Sequence, residues 1–488
     1  MNIPIYKQTA TFVPTSTRVI TRFFHMGDES RQKGIIERIL KLSESEVEAK
    51  LEEVFTEFAH RHKGFEDSLM HNYSKIEQLI SNTKYISGNR KLLIGSYFTM
   101  EFSIESAALF NPSIVVHPDQ DNLKPGELNI IISLRATGEG HISSIEFRSG
   151  TINQEGEVVM HGVSRFVAAA KRIRISYDKE SFISKLKELS VYDILQEIFH
   201  DQLAPLPNTF TLQELFAYID DVTKQELTTI QAKSIETLLW FARSNYEISF
   251  DPDYSLSERV IFPVTANETK GIEDARFVRF VDEKGEVTYY APYTAYNGFT
   301  ILPQMIETKD FCTFRINTLN GPASQNKGMA LFPRKVNGKY AMISRQDNEN
   351  LFILFSDNIY YWDNPVMIKS PTKVWELIQI GNCGSPIETE EGWLLLTHGV
   401  GPMRKYCIGV ELLDLHNPSK IIAQLKTPLL SPNEQEREGY VPNVLYSCGA
   451  LIHNDNLIVP YGISDISSKI ATTPVKPLLE SLLQNKIS

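Results

Sequence analysis

Residues 329–345, MALFPRKVNGKYAMISR, decide how the fold of this chain is read. Two apolar runs flank Asn337-Gly338. An Asn-Gly pair accepts positive φ at both central positions, which a two-residue hairpin turn requires, so the segment predicts a β-hairpin. Working outward, similar runs return at short intervals from 259 to about 465: TYYAPYTAY (288–296), LFILFSDNIYYW (351–362), GWLLLTHGV (392–400), YCIGVELLDL (406–415) and LIVPYGI (457–463). Upstream, LLIGSYF (92–98), IVVH (114–117), LNIIISLRA (128–136) and ISSIEFRSG (142–150) stand between Gly, Pro, Asn and Asp and read as strands. No strict repeat is present, yet strand–turn–strand units recur roughly every 40 to 60 residues, a spacing compatible with propeller blades.

Two stretches break this pattern. In 29–85, Ile35, Ile36, Ile39, Leu40, Val47, Leu51, Val54, Phe55 and Phe58 recur at three- and four-residue spacing, and Ser43 with Glu46 fits a capping box. Residues 179–248 turn helical again, and PVKPLLESLLQNKIS reads as a terminal helix. The expected organisation is mainly β: an N-terminal helical segment (1–92), the first part of a β-propeller (93–178), a helical insertion (179–248), the rest of the propeller (249–470) and a C-terminal helix (471–488).

The chain has 488 residues, 42% apolar and 22% charged, with a formal net charge of −11. That is globular composition, and an acidic balance argues against nucleic acid as a partner. No apolar run is long enough for a membrane helix, and the start lacks the pattern of a secretory signal. Cys312, Cys383, Cys407 and Cys448 lie far apart with no CxxC, so the expectation is a cytoplasmic protein without disulfides. The 11 histidines do not pair at ligand spacing, and no metal is expected. TGEGHIS lacks the third glycine of a dinucleotide fingerprint, and NKGMA is not a phosphate loop.

GIEDARFVRF (271–280) sets Glu273, Asp274 and Arg276 immediately before a strand. Carboxylates beside an arginine can do general acid or base work if one is desolvated; the plainer reading is a surface turn with a local ion pair. Further polar residues interrupt otherwise apolar strands: Asn111, Arg135, Glu139, His141, Ser143, Asn326, Lys327, His398, Asn443, Tyr446 and Asp465. Each alone reads as structural. Together, in a propeller whose blades converge on one channel, they would line a polar funnel suited to a sugar. Tyr289, Tyr290, Tyr293, Tyr296, Phe299, Tyr360, Tyr361 and Trp362 would supply apolar faces for a pyranose, or else pack the blades.

At these residues the sequence resembles glycoside hydrolase family 130, the β-mannoside phosphorylases and mannosidases. GIEDARF is similar to the family's GIEDPR signature. NKGMALFPRKVNGKY, GNCGSPIETEEGWLLLTHGV, YCIGVELLDLHNPSKII and GYVPNVLYSCGALIHNDNLIVPYGISD resemble its successive strand pairs in order. The resemblance covers roughly 97–148 and 259–467. It implies a five-bladed β-propeller that cleaves β-mannosidic bonds with inversion, with an oligosaccharide as partner and no cofactor beyond inorganic phosphate as co-substrate. Asp274 falls on the catalytic acid, Asn111, Arg135 and Asp465 on mannose-binding positions, and Lys327, His398 and Tyr406 on phosphate-binding positions.

Two departures stand out. Ala275 replaces the signature proline. The strand NGFTILPQMIE lacks the arginine that the phosphorylases carry there, with Arg315 just beyond. Phosphorolysis is placed ahead of hydrolysis. Hydrolysis would need a second carboxylate as base, for which Glu139, Glu273 and Glu438 are candidates. The competing readings are a β-mannosyltransferase working in the synthetic direction and a non-catalytic carbohydrate-binding propeller. The helical segments are candidates for a homo-oligomer interface or for a lid on the channel.

Overall fold

The computed structural model describes residues 3–80, 86–173, 176–188, 190–199, 207–222 and 227–487. Parts of the expected helical segments, 81–85, 189, 200–206 and 223–226, therefore lie outside the described residues.

The hairpin that opens the sequence reading is present. Asn337 and Gly338 take φ of 52° and 78°, and Val336 and Lys339 bond to each other across the turn. It belongs to a four-stranded antiparallel meander, Ala330–Leu331, Tyr340–Ser344, Leu351–Ser356 and Val366–Lys369. A second meander follows, Gln379–Asn382, Gly392–Gly401, Lys405–Leu413 and Ile421–Gln424. The last runs Leu445–Tyr446, Asn456–Ile463, Ser467–Pro474, and then takes Tyr6–Phe12 as its outer strand, with Tyr6 opposite Thr472.

The remaining large sheet holds two meanders joined edge to edge. One is Ala108–Val116, Leu128–Thr137 and Ser143–Ile152; the other is Gly271–Glu273, Val287–Tyr296, Ile301–Thr308 and Thr313–Thr318. The joint is a parallel bridge between Gly271 and Ser143. Gly271 has φ of 130°, and a Cβ there would lie 2.3 Å from Ser143 Oγ and 2.6 Å from its backbone nitrogen. Only glycine allows that approach.

Alternation along each strand buries one face against the next sheet. Ile131 and Phe147 of one joined meander pack with Ile306 and Phe314 of the other. Val278 and Met305 pack with Met342 and Leu354 of the hairpin sheet. Ile343 and Ile353 pack with Trp393 and Leu395. Leu394 and Val410 pack with Val459 and Tyr461. Ile458 and Ile470 then pack with Ile130 and Ile132 of the first meander.

Helices Glu29–Leu40, Glu44–Phe58, Phe65–Ser74 and Gly88–Tyr97 form the N-terminal layer, and both halves of the Ser43–Glu46 capping box are formed. Two findings differ from expectation here. Strands Tyr6–Phe12 and Thr15–Phe23 precede the helices, because their partners, Ser467–Pro474 and Thr99–Glu105, lie far along the chain and leave no local signal. LLIGSYF is helical rather than a strand. Ser87 caps it by accepting from Arg90 N, and a short apolar run cannot by itself tell a strand from a buried helix. Helices Lys179–Glu188, Tyr192–Ile198, Leu212–Val222 and Thr229–Ser244 enclose their own core, with Phe182, Leu195, Phe210, Leu238 and Phe241 at its centre. Helix Val475–Leu483 is the last helix among the described residues, and 471–474 belong to the strand before it. Among the described residues no helix is long and apolar enough to cross a membrane.

Candidate active site

Four residues of the site region share an uncommon backbone conformation. Asn111, Asp274, Asn326 and Asp465 all have φ between 48° and 63°. Left-handed backbone costs a non-glycine residue free energy and concentrates where a side chain must be aimed. Asn111 sits at a register shift in its strand, Asp274 directly follows the strand Gly271–Glu273, and Asp465 lies in the tight turn between Asn456–Ile463 and Ser467–Pro474.

These residues converge although they are far apart in sequence. Asn111 Nδ2 donates to Asp274 Oδ1 at 2.6 Å. Arg135 reaches both carboxylates, Asp274 Oδ1 at 3.3 Å and Glu273 Oε1 at 2.7 Å. Lys327 Nζ lies 2.6 Å from the other oxygen of Glu273 and over the Tyr296 ring. Arg276, fully buried, donates to the Asp274 carbonyl at 3.0 Å and to Tyr446 Oη at 2.7 Å. The Asp274 side chain is only 12% exposed. The solvated turn with a local ion pair is thereby excluded.

Burial pushes the Asp274 carboxyl up, but Arg135, Arg276, Lys327 and the Asn111 hydrogen bond outweigh it and hold it below the usual aspartate range. Asp465 behaves oppositely. Burial raises it to about 6, against the pull of Arg135 and with a push from Asp274. Two carboxyl groups in one site are thus driven apart, a pattern typical of acid–base centres.

On the other side lies His398, opposite Gly381 in the strand Gly392–Gly401. Burial, with Arg345 and Arg276 nearby, keeps its imidazole neutral, well below the ordinary histidine value. Arg345 NH1 is 3.1 Å from His398 Nε2, and since arginine only donates, that nitrogen accepts. The Gln379 amide, turned to satisfy its bonds, also accepts from Arg345. A Cβ at Gly381 would lie 2.5 Å from the His398 ring, so the glycine makes room for it. Tyr406 stacks on His398 at 5.9 Å, and Tyr446 lies 4.7 Å from it. Burial pushes the nearby Cys383 thiol up to about 12, so it is no ready nucleophile.

Several buried polar atoms here find no protein partner: Asn111 Oδ1, Arg135 Nε, Arg276 Nε, Arg345 Nε and Asn382 Oδ1. Unpaired buried donors and acceptors gathered in one place point to a polar ligand.

The structure therefore brings together Asn111, Arg135, Glu273, Asp274 and Lys327 through direct contacts, and His398 with Tyr406 through stacking. Asp465 joins by its electrostatic coupling to Arg135 and Asp274. Glu139 and Glu438 are exposed on turns. Arg315 is elsewhere: its side chain is 57% exposed and faces Glu247 at 3.4 Å. Arg345 is the residue that sequence reasoning missed, and its one signal was a charge at the end of the strand Tyr340–Ser344. Of the aromatic candidates, Tyr289, Tyr293 and Trp362 are core residues, whereas Phe299 is 96% exposed.

A family model described as beta-1,4-mannooligosaccharide phosphorylase matches residues 239–484. A 1,2-beta-oligomannan phosphorylase of Thermoanaerobacter sp. (strain X514) is 34% identical over 252 residues, covering 49% of this chain and 81% of the relative. A beta-1,2-mannobiose phosphorylase of the same organism is 40% identical over 212 residues, covering 42% and 67%. A solved structure of the Listeria innocua beta-1,2-mannobiose phosphorylase, in complex with beta-1,2-mannobiose, is 22% identical with a TM-score of 0.47, covering 78% of this chain and 93% of that one. The chain belongs to glycoside hydrolase family 130.

Proposed function

We propose that this protein cleaves β-mannosidic bonds of manno-oligosaccharides by phosphorolysis with inversion, releasing mannose 1-phosphate. The observation that carries the reading is the pairing of a buried carboxyl, Asp274, with a cationic wall formed by Arg276, Lys327 and Arg345. Asn111, Arg135 and Asp465 hold the mannose whose bond is cut. Asp274 gives its proton to the leaving oxygen as the bond from the anomeric carbon breaks. A phosphate oxygen, held by Lys327, Arg345 and Tyr406, forms the new bond on the opposite face. His398, neutral and in contact with Arg345, orients that guanidinium rather than adding charge. Of the cations that depress Asp274, Arg135 lies on the mannose side, whereas Arg276 and Lys327 belong to the wall that would meet phosphate. A bound dianion offsets their field, so seating the nucleophile also favours a protonated acid.

Hydrolysis needs a free carboxylate to activate water. Glu273 has both oxygens engaged by Arg135 and Lys327, and Glu139 and Glu438 lie on exposed turns. This favours phosphate as nucleophile. The names of the relatives, all phosphorylases, point the same way. Synthesis from mannose 1-phosphate is the same reaction reversed. A purely binding propeller would leave the acid and its cationic wall without a use.

We also infer that the sheets are the blades of a five-bladed β-propeller. The succession of shared cores passes from sheet to sheet and returns to its start, which supports a closed ring. The helical stretches within 1–92 and 179–248 are read as additions to that ring. Four free cysteines suit a reducing compartment such as the cytoplasm.

The test is a product assay. Incubated with a β-mannoside and phosphate, the enzyme should form mannose 1-phosphate in the α configuration, at a rate that rises with phosphate. Free mannose formed at a phosphate-independent rate would overturn phosphorolysis in favour of hydrolysis.

A further inference from the structure

Two exposed rings meet near the sugar-binding residues. Tyr440, 69% exposed, stacks on His141 with ring centres 5.6 Å apart and planes 26° apart. Neither belongs to the hydrogen-bonded cluster around Asp274, yet each is fixed to it by backbone. His141, with φ of 58°, lies in the turn that leads out of the strand carrying Arg135. Tyr440 is flanked by two residues seated on Ser464, the neighbour of Asp465. A Cβ at Gly439 would lie 2.4 Å from the Ser464 carbonyl oxygen, and Val441 N donates to that oxygen at 3.0 Å. The loop is also closed on itself: Arg437 Nε donates to Asn443 Oδ1 at 2.8 Å, and Asn443 N donates back to the Arg437 carbonyl at 3.2 Å. Tyr406 N donates to the Asn443 carbonyl at 3.0 Å, tying the loop to the proposed phosphate side as well.

A large ring left in solvent on a pinned loop makes a ready surface for the apolar face of a pyranose, at little ordering cost. The residues that hold the reacting mannose are buried or nearly so, whereas Tyr440 and His141 are exposed, so the sugar they meet is a different one.

We propose that Tyr440, backed by His141, is the stacking platform for a sugar beyond the two units that flank the cleaved bond, and that the preferred substrates are oligosaccharides longer than a disaccharide. This inference rests on the β-mannoside reading above. Calorimetric titrations with β-1,2- and β-1,4-linked mannobiose, mannotriose and mannotetraose test it, in an Asp274→Asn background that stops turnover. Adding Tyr440→Ala should weaken trisaccharide and tetrasaccharide binding about 10-fold while changing disaccharide binding less than about twofold. Tyr440→Phe should keep wild-type affinity, because the ring and not the hydroxyl is used. His141→Ala should give a smaller loss with the same dependence on length.

Equal loss at every length, or no loss at any, overturns the platform. Failure of the two readings is distinguishable. If the wild-type enzyme forms mannose 1-phosphate but Tyr440→Ala shows no length-dependent loss, the platform alone falls. If the length-dependent loss is found without mannose 1-phosphate formation, phosphorolysis alone falls. Absence of binding to every one of these sugars overturns both.

Discussion

Arg345→Ala isolates the cationic wall from the rest of the site. Its guanidinium contacts His398 and Gln379 and, among the described residues, pairs with no carboxylate, so its charge is available to an anion. At about 4 Å and an effective dielectric near 20, one positive charge attracts each negative charge of phosphate by about 4 kcal/mol. Competition with water reduces a charge-assisted hydrogen bond to about 1.5–3 kcal/mol net. That corresponds to a rise of about 10- to 150-fold in KM for phosphate. KM for the mannoside should change less than about threefold, since Asn111, Arg135 and Asp465 are untouched, and an unchanged thermal midpoint would exclude misfolding. The assay is the initial rate of mannose 1-phosphate formation, with phosphate varied at saturating mannoside and then the reverse. Arg315→Ala is the control, because that side chain faces Glu247 in solvent, and both constants should stay within about twofold of wild type. An unchanged phosphate KM in Arg345→Ala, or a large rise in Arg315→Ala, would refute the assignment.

Asp274→Asn should lower kcat by at least about 100-fold while the circular-dichroism spectrum and melting curve stay native, since asparagine also tolerates the left-handed backbone at this position; substantial turnover of an unactivated mannoside would remove Asp274 from the acid role. Asp465 has a folded pKa near 6, above its unfolded value, so its contribution to stability is complete below about pH 4 and is lost as pH rises through 6. Asp465→Asn should therefore gain on the order of 2 kcal/mol relative to wild type between pH 4.5 and 7.5 in urea unfolding, and a difference that does not vary with pH would contradict the shift. Gly271→Ala should cost about 3 kcal/mol or more, because its Cβ would strike the backbone of Ser143 at a φ that only glycine adopts readily. A melting point within a degree of wild type would show that the joint between the two meanders is dispensable.

The β character of the chain was legible because alternation and turn chemistry are local. Asn337-Gly338 carries its own geometry, and Ser43–Glu46 its own cap. Asp274 was singled out for a different reason: three charged residues beside a strand also fit a surface turn, and the likeness of GIEDARF to the GIEDPR signature is what drew attention to that carboxyl. Arg345 was not, since nothing in MISRQDNEN distinguishes an arginine that turns toward His398 from one that faces solvent, as Arg315 does. The same ambiguity governs the aromatics. Tyr289 and Tyr293 share one face of a strand with period two, and the sequence does not say which face is covered; both proved to be core. Tyr440 escaped notice as a lone ring in a loop, and only its contact with His141, about 300 residues earlier, gives it meaning.

The pairing of Tyr6–Phe12 with Ser467–Pro474 has a consequence for biosynthesis. Tyr6–Phe12 leaves the ribosome long before its hydrogen-bonding neighbour, Ser467–Pro474, has been made. Until then Tyr6–Phe12 waits with unsatisfied amides, and a late intermediate would carry an open edge on either strand, a template for association between chains. A protease cut after Phe12 in the folded protein would loosen the strand that covers that edge, so resistance to limited digestion around Tyr6–Phe12 should appear last during refolding and vanish first during unfolding.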